Sequence, residues 1–149
     1  VEYVEWARIR GDEELTGKVV WPGVKSVERA VEKIVRSYKQ DISLLLDVCR
    51  QAIVFASVGD MEACIDAIQQ DPDVRVVRVK NRLDPAYDAS RTAGYRDVCL
   101  NLRIDDDLTR ALGVSGHVCE VQLVLLPFAM LKSHEGHKRY VVFRNMRGE

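Results

Sequence analysis

The sequence has 149 residues, with 22 Lys plus Arg against 23 Asp plus Glu and a formal net charge of −1. This length suits a single domain with one hydrophobic core. Hydrophobic residues make up 47% and charged residues 30%, a globular composition that argues against long disorder and a polybasic surface for DNA. No apolar run approaches the ~20 residues of a membrane-spanning helix. We therefore expect a soluble cytoplasmic domain that binds neither DNA nor membranes.

The chain begins with Val1 and shows no secretory signal, which would be a basic segment, an apolar stretch and a small-residue cleavage site. We interpret it as a domain of a longer parent chain or as a processed product. The cysteines are widely spaced among apolar residues; they are Cys49, Cys64, Cys99 and Cys119. This spacing predicts buried, reduced thiols and a reducing compartment.

The first half of the chain predicts the order helix, strand, helix, strand. Residues 1–23 show no clean period and form an irregular or partly helical lead-in to a domain over 24–149. Helical periodicity over 24–38 predicts an amphipathic helix. Its apolar positions are Val24, Val27, Ala30, Val31, Ile34, Val35 and Tyr38. A buried strand over 50–56 follows, then a helix over 61–69 with Asp60 as its N-cap, then a strand over 73–80 with valines and arginines on opposite faces.

The second half predicts a long polar loop over 81–94, two further strands over 96–104 and 117–123, and a closing helix over 124–147. Inward positions of the third strand are Val98, Leu100, Leu102 and Ile104. Pro127 falls in the first turn of the closing helix, where proline is tolerated. Helices interspersed between strands predict an α+β domain, with a mixed sheet of about four to five strands flanked by helices.

Two acids stand at the edges of predicted strands. Asp47 directly precedes the first strand, and Glu120 lies within the last strand on the face opposite its apolar residues. Two carboxylates on one sheet face are an ordinary Mg²⁺ site, because this ion is usually held by one or two carboxylates plus substrate phosphates. A solvated pair of acids is the alternative.

Cations surround the predicted position of these acids. They are Lys25, Arg29, Lys33, Arg50, Arg75, Arg78, Lys80, Arg82, Arg91 and Arg96. Cations at alternate strand positions can hold a polyphosphate beside a metal, and a solvated face with surface ion pairs is the alternative. Tyr95, after Gly94, offers a flat ring for a purine base or packs over the sheet edge.

Two further patterns are weaker evidence for a functional site. His134 and His137 form H-x-x-H, but no further histidine or cysteine lies near enough to favour zinc. The three aspartates at 105–107 are more typical of a polar turn and helix cap than of a calcium loop. Neither a nucleophile elbow nor a P-loop occurs in the sequence.

In their order, these motifs resemble the synthetase domain of the RelA/SpoT family of alarmone synthetases, within the nucleotidyltransferase superfold. The resemblance covers 24–147. Lys25-Ser26 followed by Lys33 resembles the family's basic helix, and Asp47 resembles the metal-binding aspartate before its first strand. The segment 80–82 (KNR) resembles the K-D-Y segment, and Arg91 stands where a lysine usually precedes the G-Y motif.

The later motifs continue the resemblance. The segment 94–97 (GYRD) is similar to G-Y-x-S, whose tyrosine stacks on the acceptor guanine, and 120–122 (EVQ) matches E-x-Q, whose glutamate helps hold the metal and deprotonate the acceptor hydroxyl. The segment 134–140 resembles the helix that ends the synthetase domain. Asp97 replaces the serine of the family pattern, Cys99 replaces its histidine, and Leu123-Val124 replaces the usual I-R-T.

The resemblance implies Mg²⁺-dependent transfer of a pyrophosphoryl group from ATP to the 3′ hydroxyl of a guanosine nucleotide or related acceptor. It implies Asp47 and Glu120 as catalytic and metal-binding residues. The implied nucleotide-binding residues are Lys25, Lys33, Arg50, Lys80, Arg82, Arg91, Tyr95, Arg96 and Gln122. The alternatives are a catalytically silent domain of this fold, serving nucleotide sensing or protein interaction in a larger protein, and an unrelated α+β interaction domain. The chain lacks a histidine-aspartate hydrolase half, so alarmone degradation is not expected.

Overall fold

The computed structural model describes residues 4–19, 21–131 and 146. Within these residues, one mixed sheet has the strand order β1-β4-β3-β2. Its strands are β1 (Arg50–Phe55), β2 (Val74–Asn81), β3 (Val98–Ile104) and β4 (Cys119–Leu125). β1 runs parallel to β4, whereas β3 pairs antiparallel with both β4 and β2. The predicted α+β class with a mixed sheet is confirmed.

The helices occupy the predicted places around this sheet, with one short addition. They are α1 (Trp6–Ile9), α2 (Glu13–Gly17), α3 (Val27–Ser37), α4 (Val58–Gln70), α5 (Asp107–Ala111) and α6 (Leu126–Leu131). Short 3₁₀ turns span Ile42–Leu44 and Ala89–Thr92. The described part of the chain has no helix long and apolar enough to cross a membrane.

Capping side chains fix where two helices begin. Ser57 is the N-cap of α4 and accepts a hydrogen bond from the Asp60 backbone N–H (3.1 Å), so the prediction of Asp60 as the cap is wrong. The S-x-x-D spacing was the available signal. Asp106 caps α5 together with Thr109 in a reciprocal capping box, which confirms a helix cap within the aspartate run.

The closing helix starts later than predicted. Leu125 still belongs to β4, and α6 begins at Leu126, with Pro127 in its first turn as expected. Pairing with β1 extends β4 to Leu125, and this pairing keeps the chain extended beyond the predicted strand end. The rest of the predicted helix, over 132–145 and at 147, lies outside the described residues.

The hydrophobic core lies between α4 and one face of the sheet. Met61 of α4 packs with Val98, Leu100, Leu102 and Leu123, all at most 6% exposed. The inward alternation predicted for β3 is therefore confirmed at three of its four positions. Its fourth position, at the end of the strand, is 40% exposed.

The valine side of α3 is the main departure from the predicted packing. Side chains between 52% and 74% exposed form this side: Val24, Val27, Val31 and Val35. The helix is held through its other side, where Lys33 pairs with Asp47. The backbone N–H of Lys25 also donates to the carbonyl of Val48 (2.9 Å). The apolar side of an amphipathic helix usually faces the core. In α3 the ion pair holds the opposite side against the protein, and the valine side is left exposed.

A bulge in β2 places its cations on one face. The register shifts between Val76 and Arg78, so Val77 is an extra residue in the ladder. In a regular strand Arg75 and Arg78 would point to opposite faces. Here their partners on β3 are two residues apart, so both face the side away from α4, as Lys80 does.

We expect Leu123→Ala to lower the free energy of unfolding by about 2–5 kcal/mol, because it leaves a cavity in the core. Urea unfolding followed by circular dichroism measures this change. Leu108→Ala is the matched control, since Leu108 is 66% exposed, and we expect a change within ~0.5 kcal/mol. Equal losses in the two variants would contradict the assigned core.

Candidate active site

The sheet face away from α4 is polar and joins residues from all four strands. Arg50 of β1 lies beside Glu120 of β4 in the parallel ladder. One row further, Gln122 of β4 lies beside Cys99 of β3, which in turn lies beside Lys80 of β2. Directly paired residues point to the same side of a sheet. The structure therefore brings together four of the predicted site residues on one surface.

Glu120 lies near the start of β4 on this surface. Its backbone partner on β3 is Asn101, which is 3% exposed, and its carboxylate lies within hydrogen-bonding reach of the Cys99 thiol. Burial, together with the charge of Glu120, raises the pKa of the Cys99 thiol to about 12. The thiol therefore stays protonated at neutral pH and can donate to Glu120. Apolar neighbours in the sequence concealed this polar contact of Cys99.

The cations of β2 form a concentration of positive charge beside Glu120. Partial desolvation and the neighbouring charges of Arg78 and Arg82 lower the pKa of Lys80. Within the described part of the chain, Arg50, Arg78 and Lys80 form no salt bridge. A lysine that resists protonation because of like charges is stabilised when an anion binds. The face is therefore suited to a polyanion.

Asp47 lies just before β1 and is paired with both predicted lysines. It is 5% exposed, its Oδ2 contacts the Nζ of Lys25, and the Nζ of Lys33 lies 2.8 Å from the same oxygen. Burial raises the pKa of Asp47, but the hydrogen bonds and charges of the two lysines outweigh it, so the pKa lies below its ordinary value. Burial lowers the pKa of Lys33, but the hydrogen bonds and charges of Asp47 and Tyr38 outweigh this effect. The pKa of Lys33 is therefore raised above its ordinary value.

The donor set at Asp47 fits Mg²⁺ in part. Its Oδ1 is buried and has no hydrogen-bond partner within the described residues, which leaves a hard oxygen donor unused. No group of three or more His, Cys, Asp or Glu side chains in the described part could hold a metal ion. An ion here would need phosphate oxygens to complete its shell, which is the usual arrangement for Mg²⁺ in sites that act on phosphates.

A buried ion pair fixes both ends of the loop between β2 and β3. Asp97 is 0% exposed, and its Oδ1 accepts from the Nε of Arg82 (2.7 Å) and lies 2.7 Å from its Nη2. The backbone N–H of Arg82 also donates to the Asp97 carbonyl (2.8 Å). The extra acid at Asp97 is therefore balanced by Arg82.

Arg96 organises the same loop from inside. Its guanidinium donates to the carbonyls of Arg82 (2.9 Å), Asp84 (2.8 Å) and Tyr87 (3.2 Å), and it lies over the Tyr87 ring at 5.9 Å. This arrangement gives Arg96 a positioning role, and the predicted contact of Arg96 with a nucleotide stays a prediction. Arg91 is exposed in the 3₁₀ turn Ala89–Thr92.

Tyr95 is half-buried at the end of this loop. Its carbonyl accepts a hydrogen bond from the Thr92 hydroxyl (2.7 Å). Burial and the adjacent Asp97 raise the pKa of the Tyr95 hydroxyl far above its ordinary value. Tyr95 stands three residues before β3, next to the buried Asp97. Its stacking on a base stays a prediction.

The two parts of the candidate site lie at opposite ends of one sheet face. Arg50 and Glu120 stand where β1 and β4 begin, whereas the loop leaves the sheet beside Leu123, the partner of Val98. Glu120 and Leu123 lie three steps apart along the strand, a distance of about 10 Å. The predicted pair His134 and His137 lies outside the described residues.

Neither the protein-family models nor the curated proteins give a match to this sequence. Solved structures do resemble the chain. Small alarmone synthetase 2 from Bacillus subtilis is 24% identical, with a TM-score of 0.61 over 83% of this chain and 62% of that one. Small alarmone synthetase 1 from Bacillus subtilis, bound to its product pppGpp, is 19% identical, with a TM-score of 0.63 over 91% of this chain and 72% of that one.

A GTP pyrophosphokinase family protein from Streptococcus pneumoniae is 17% identical, with a TM-score of 0.62 over 91% of this chain and 69% of that one. The chain has the alarmone synthetase fold. The fold that the RelA/SpoT resemblance implied is thereby confirmed. The chain spans 62% of the length of the first of these synthetases, so the alarmone synthetase fold is present here over a shorter stretch.

In this alarmone synthetase fold, we expect Asp97→Asn to lower the free energy of unfolding by about 3–5 kcal/mol, because it leaves the buried Arg82 guanidinium unpaired. Asp105→Asn is the matched control. Asp105 pairs with Arg110 on the surface (2.9 Å), and its loss should cost at most about 1 kcal/mol. Chemical denaturation measures both variants. Similar values would contradict a buried, stability-determining pair.

We also expect the ion pairs of Asp47 with Lys25 and Lys33 to make the free energy of unfolding depend on pH in acid. The pKa of Asp47 is lower in the folded state than in the unfolded state, so its ionised form stabilises the fold. This stabilisation is fully present above the unfolded pKa of about 3.9 and is lost as the pH falls through the lower folded pKa. Asp47→Asn should therefore be less stable than wild type at neutral pH, and the difference should shrink in acid. Unfolding free energies measured from pH 7 to about pH 2 test this, and parallel curves would contradict it.

Proposed function

We propose that this domain transfers a pyrophosphoryl group from ATP to the 3′ hydroxyl of a guanosine nucleotide or a related acceptor. The observation that supports this proposal most is the polar sheet face in an alarmone synthetase fold. On this face, cations of β1 and β2 that form no salt bridge with another described residue flank Glu120. A structurally similar synthetase is bound to its product pppGpp. Free thiols in the described part and nucleotide substrates together suit a reducing cytoplasm.

The phosphates of ATP bind at the end of the face where β1 and β4 begin. Arg50 and Lys80 bracket Glu120 across the sheet, and Arg78 adds a third cation. Their charges stabilise the negative charge that builds on the phosphate oxygens during transfer. Lys25 and Lys33 now pair with Asp47, and a triphosphate offers them a second anionic partner.

The acceptor binds at the loop end of the face. Tyr95 presents its ring at the sheet edge for the acceptor base, and Gln122 lies between this ring and Glu120 along β4. The Arg82–Asp97 pair and the hydrogen bonds from Arg96 to the loop carbonyls keep this loop in one conformation. Fixed positions for both substrates reduce the entropic barrier to their reaction.

Transfer then forms one bond and breaks one. The 3′ oxygen of the acceptor attacks the β-phosphorus of ATP, and the bond from the β-phosphorus to the oxygen of the α-phosphate breaks, which releases AMP. The acceptor hydroxyl loses its proton, and Glu120 is placed to accept it.

Asp47 and Glu120 would hold Mg²⁺ in this proposal, with phosphate oxygens as further ligands. When bound, the ion supplies neutralisation of charge on the triphosphate. The unused Oδ1 of Asp47 is the donor that supports this assignment.

The test incubates the purified protein with ATP, Mg²⁺ and GDP or GTP, and follows release of AMP and appearance of a guanosine 3′-pyrophosphate by anion-exchange chromatography. We expect Glu120→Gln to lower the rate by about 100-fold or more, because the proton acceptor and metal ligand are lost. Glu62→Gln is the matched control, since this exposed glutamate lies on α4, across the sheet, and the rate should stay at the wild-type level.

Failure to release AMP with any guanosine acceptor, in protein that binds ATP, would overturn the transferase proposal and favour a silent nucleotide-sensing domain. Calorimetric titration with ATP separates these results from a domain that binds no nucleotide at all.

A further inference from the structure

Two cysteines distant in the sequence lie side by side where β1 and β4 begin. Arg50 pairs with Glu120, and the Glu120 backbone N–H donates to the carbonyl of Cys49 (2.9 Å). Cys49 and Cys119 are therefore the next residues back along the same parallel ladder. Neighbouring strands lie about 4.8 Å apart, and disulfides bridge Cα atoms about 4.4–6.8 Å apart. The backbone already has a spacing that a disulfide accepts.

The two side chains also lie on the same face of the sheet, because neighbours in a ladder point to the same side. Cys49 is exposed and Cys119 is half-buried, which corrects the prediction that the four thiols are buried. Because Cys49 is exposed and lies just before the first residue of β1, small movements of its side chain can close the remaining distance between the sulfur atoms.

We propose that Cys49 and Cys119 form a reversible redox pair that closes to a disulfide on the core side of the sheet, directly behind Arg50 and Glu120. The exposed Cys49 reacts first and Cys119 resolves the product. The remaining cysteines take no part, since Cys99 is buried in the sheet and Cys64 lies on α4.

The oxidant is a low-molecular-weight disulfide such as oxidised glutathione. The Cys49 thiolate attacks one of its sulfur atoms, forms a mixed disulfide and releases one glutathione thiolate. The Cys119 thiolate then attacks the Cys49 sulfur and releases the second glutathione. Two protein thiols are oxidised to one disulfide, and one glutathione disulfide is reduced to two thiols, so electrons and protons balance.

The disulfide would act on the site already described, and this consequence rests on the proposed function. Arg50 and Glu120 directly follow the two cysteines on their strands. Drawing the sulfur atoms together displaces these neighbours, and a displacement of about 1 Å in a reacting group can lower a rate by up to about 100-fold. We expect oxidation to lower transfer by roughly tenfold or more, and dithiothreitol to restore it.

The experiment treats the whole protein with oxidised glutathione under native conditions, traps free thiols with an alkylating agent and maps peptides by mass spectrometry. The expected product is a peptide pair joined through Cys49 and Cys119. Cys64→Ser is the matched control and should still form it, whereas Cys119→Ser should stop at the glutathione adduct of Cys49. A wild-type protein that stops at this adduct, or that joins other cysteines, would overturn the redox pair.

The activity measurement separates this inference from the proposed function. A mapped disulfide that lowers transfer reversibly in wild type, but not in Cys119→Ser treated alike, supports the full proposal. A mapped disulfide with transfer unchanged would overturn the regulatory part. A protein that forms the disulfide yet never produces AMP would leave the redox pair in place and overturn the transferase function instead.

Discussion

The register of β4 is the constraint on which the rest of the structure depends. This strand is parallel to β1 on one side and antiparallel to β3 on the other, so one alignment fixes neighbours in both directions. Since side chains alternate between the faces of a strand, the alignment that buries Leu123 under α4 also turns Glu120 and Gln122 to the opposite side. A shift of one residue would exchange the core for the site. Hydrophobic burial of Leu123 thereby keeps the carboxylate of Glu120 in place.

The alternation of apolar and polar side chains in the strands could be predicted from the sequence because it involves only neighbouring positions. The apolar residues of β3 and β4 recur at every second position, and this period predicted both strands and the outward face of Glu120. The same reasoning was less successful for α3. A helical period shows that a helix has an apolar side, but it does not name the partner of that side. The orientation of α3 is set by the ion pair between Lys33 and Asp47, which lie 14 positions apart in the chain.

Ion pairs are the part of the site that the sequence conceals. Asp97 departs from the motif that it otherwise resembles, and nothing near it indicates that Arg82, fifteen residues earlier, balances its charge. Likewise, Arg96 is a cation next to a motif residue, yet its guanidinium serves three carbonyls of its own loop. The positions of the cations in the sequence predict a basic face. Only the fold separates the cations that hold the protein together from those left for a ligand.

The bulge at Val77 makes β2 tolerant of a change in length at one point. Val77 is 54% exposed and has no partner of its own in the ladder, so the pairs on either side of it follow one another without it. Removing Val77 would leave a regular strand in which Arg75, Arg78 and Lys80 still stand at alternate positions on one face. Removing Val79 instead would bring Lys80 directly after Arg78 and turn it to the opposite face. The charged surface therefore survives a deletion at the bulge but not one further along the same strand.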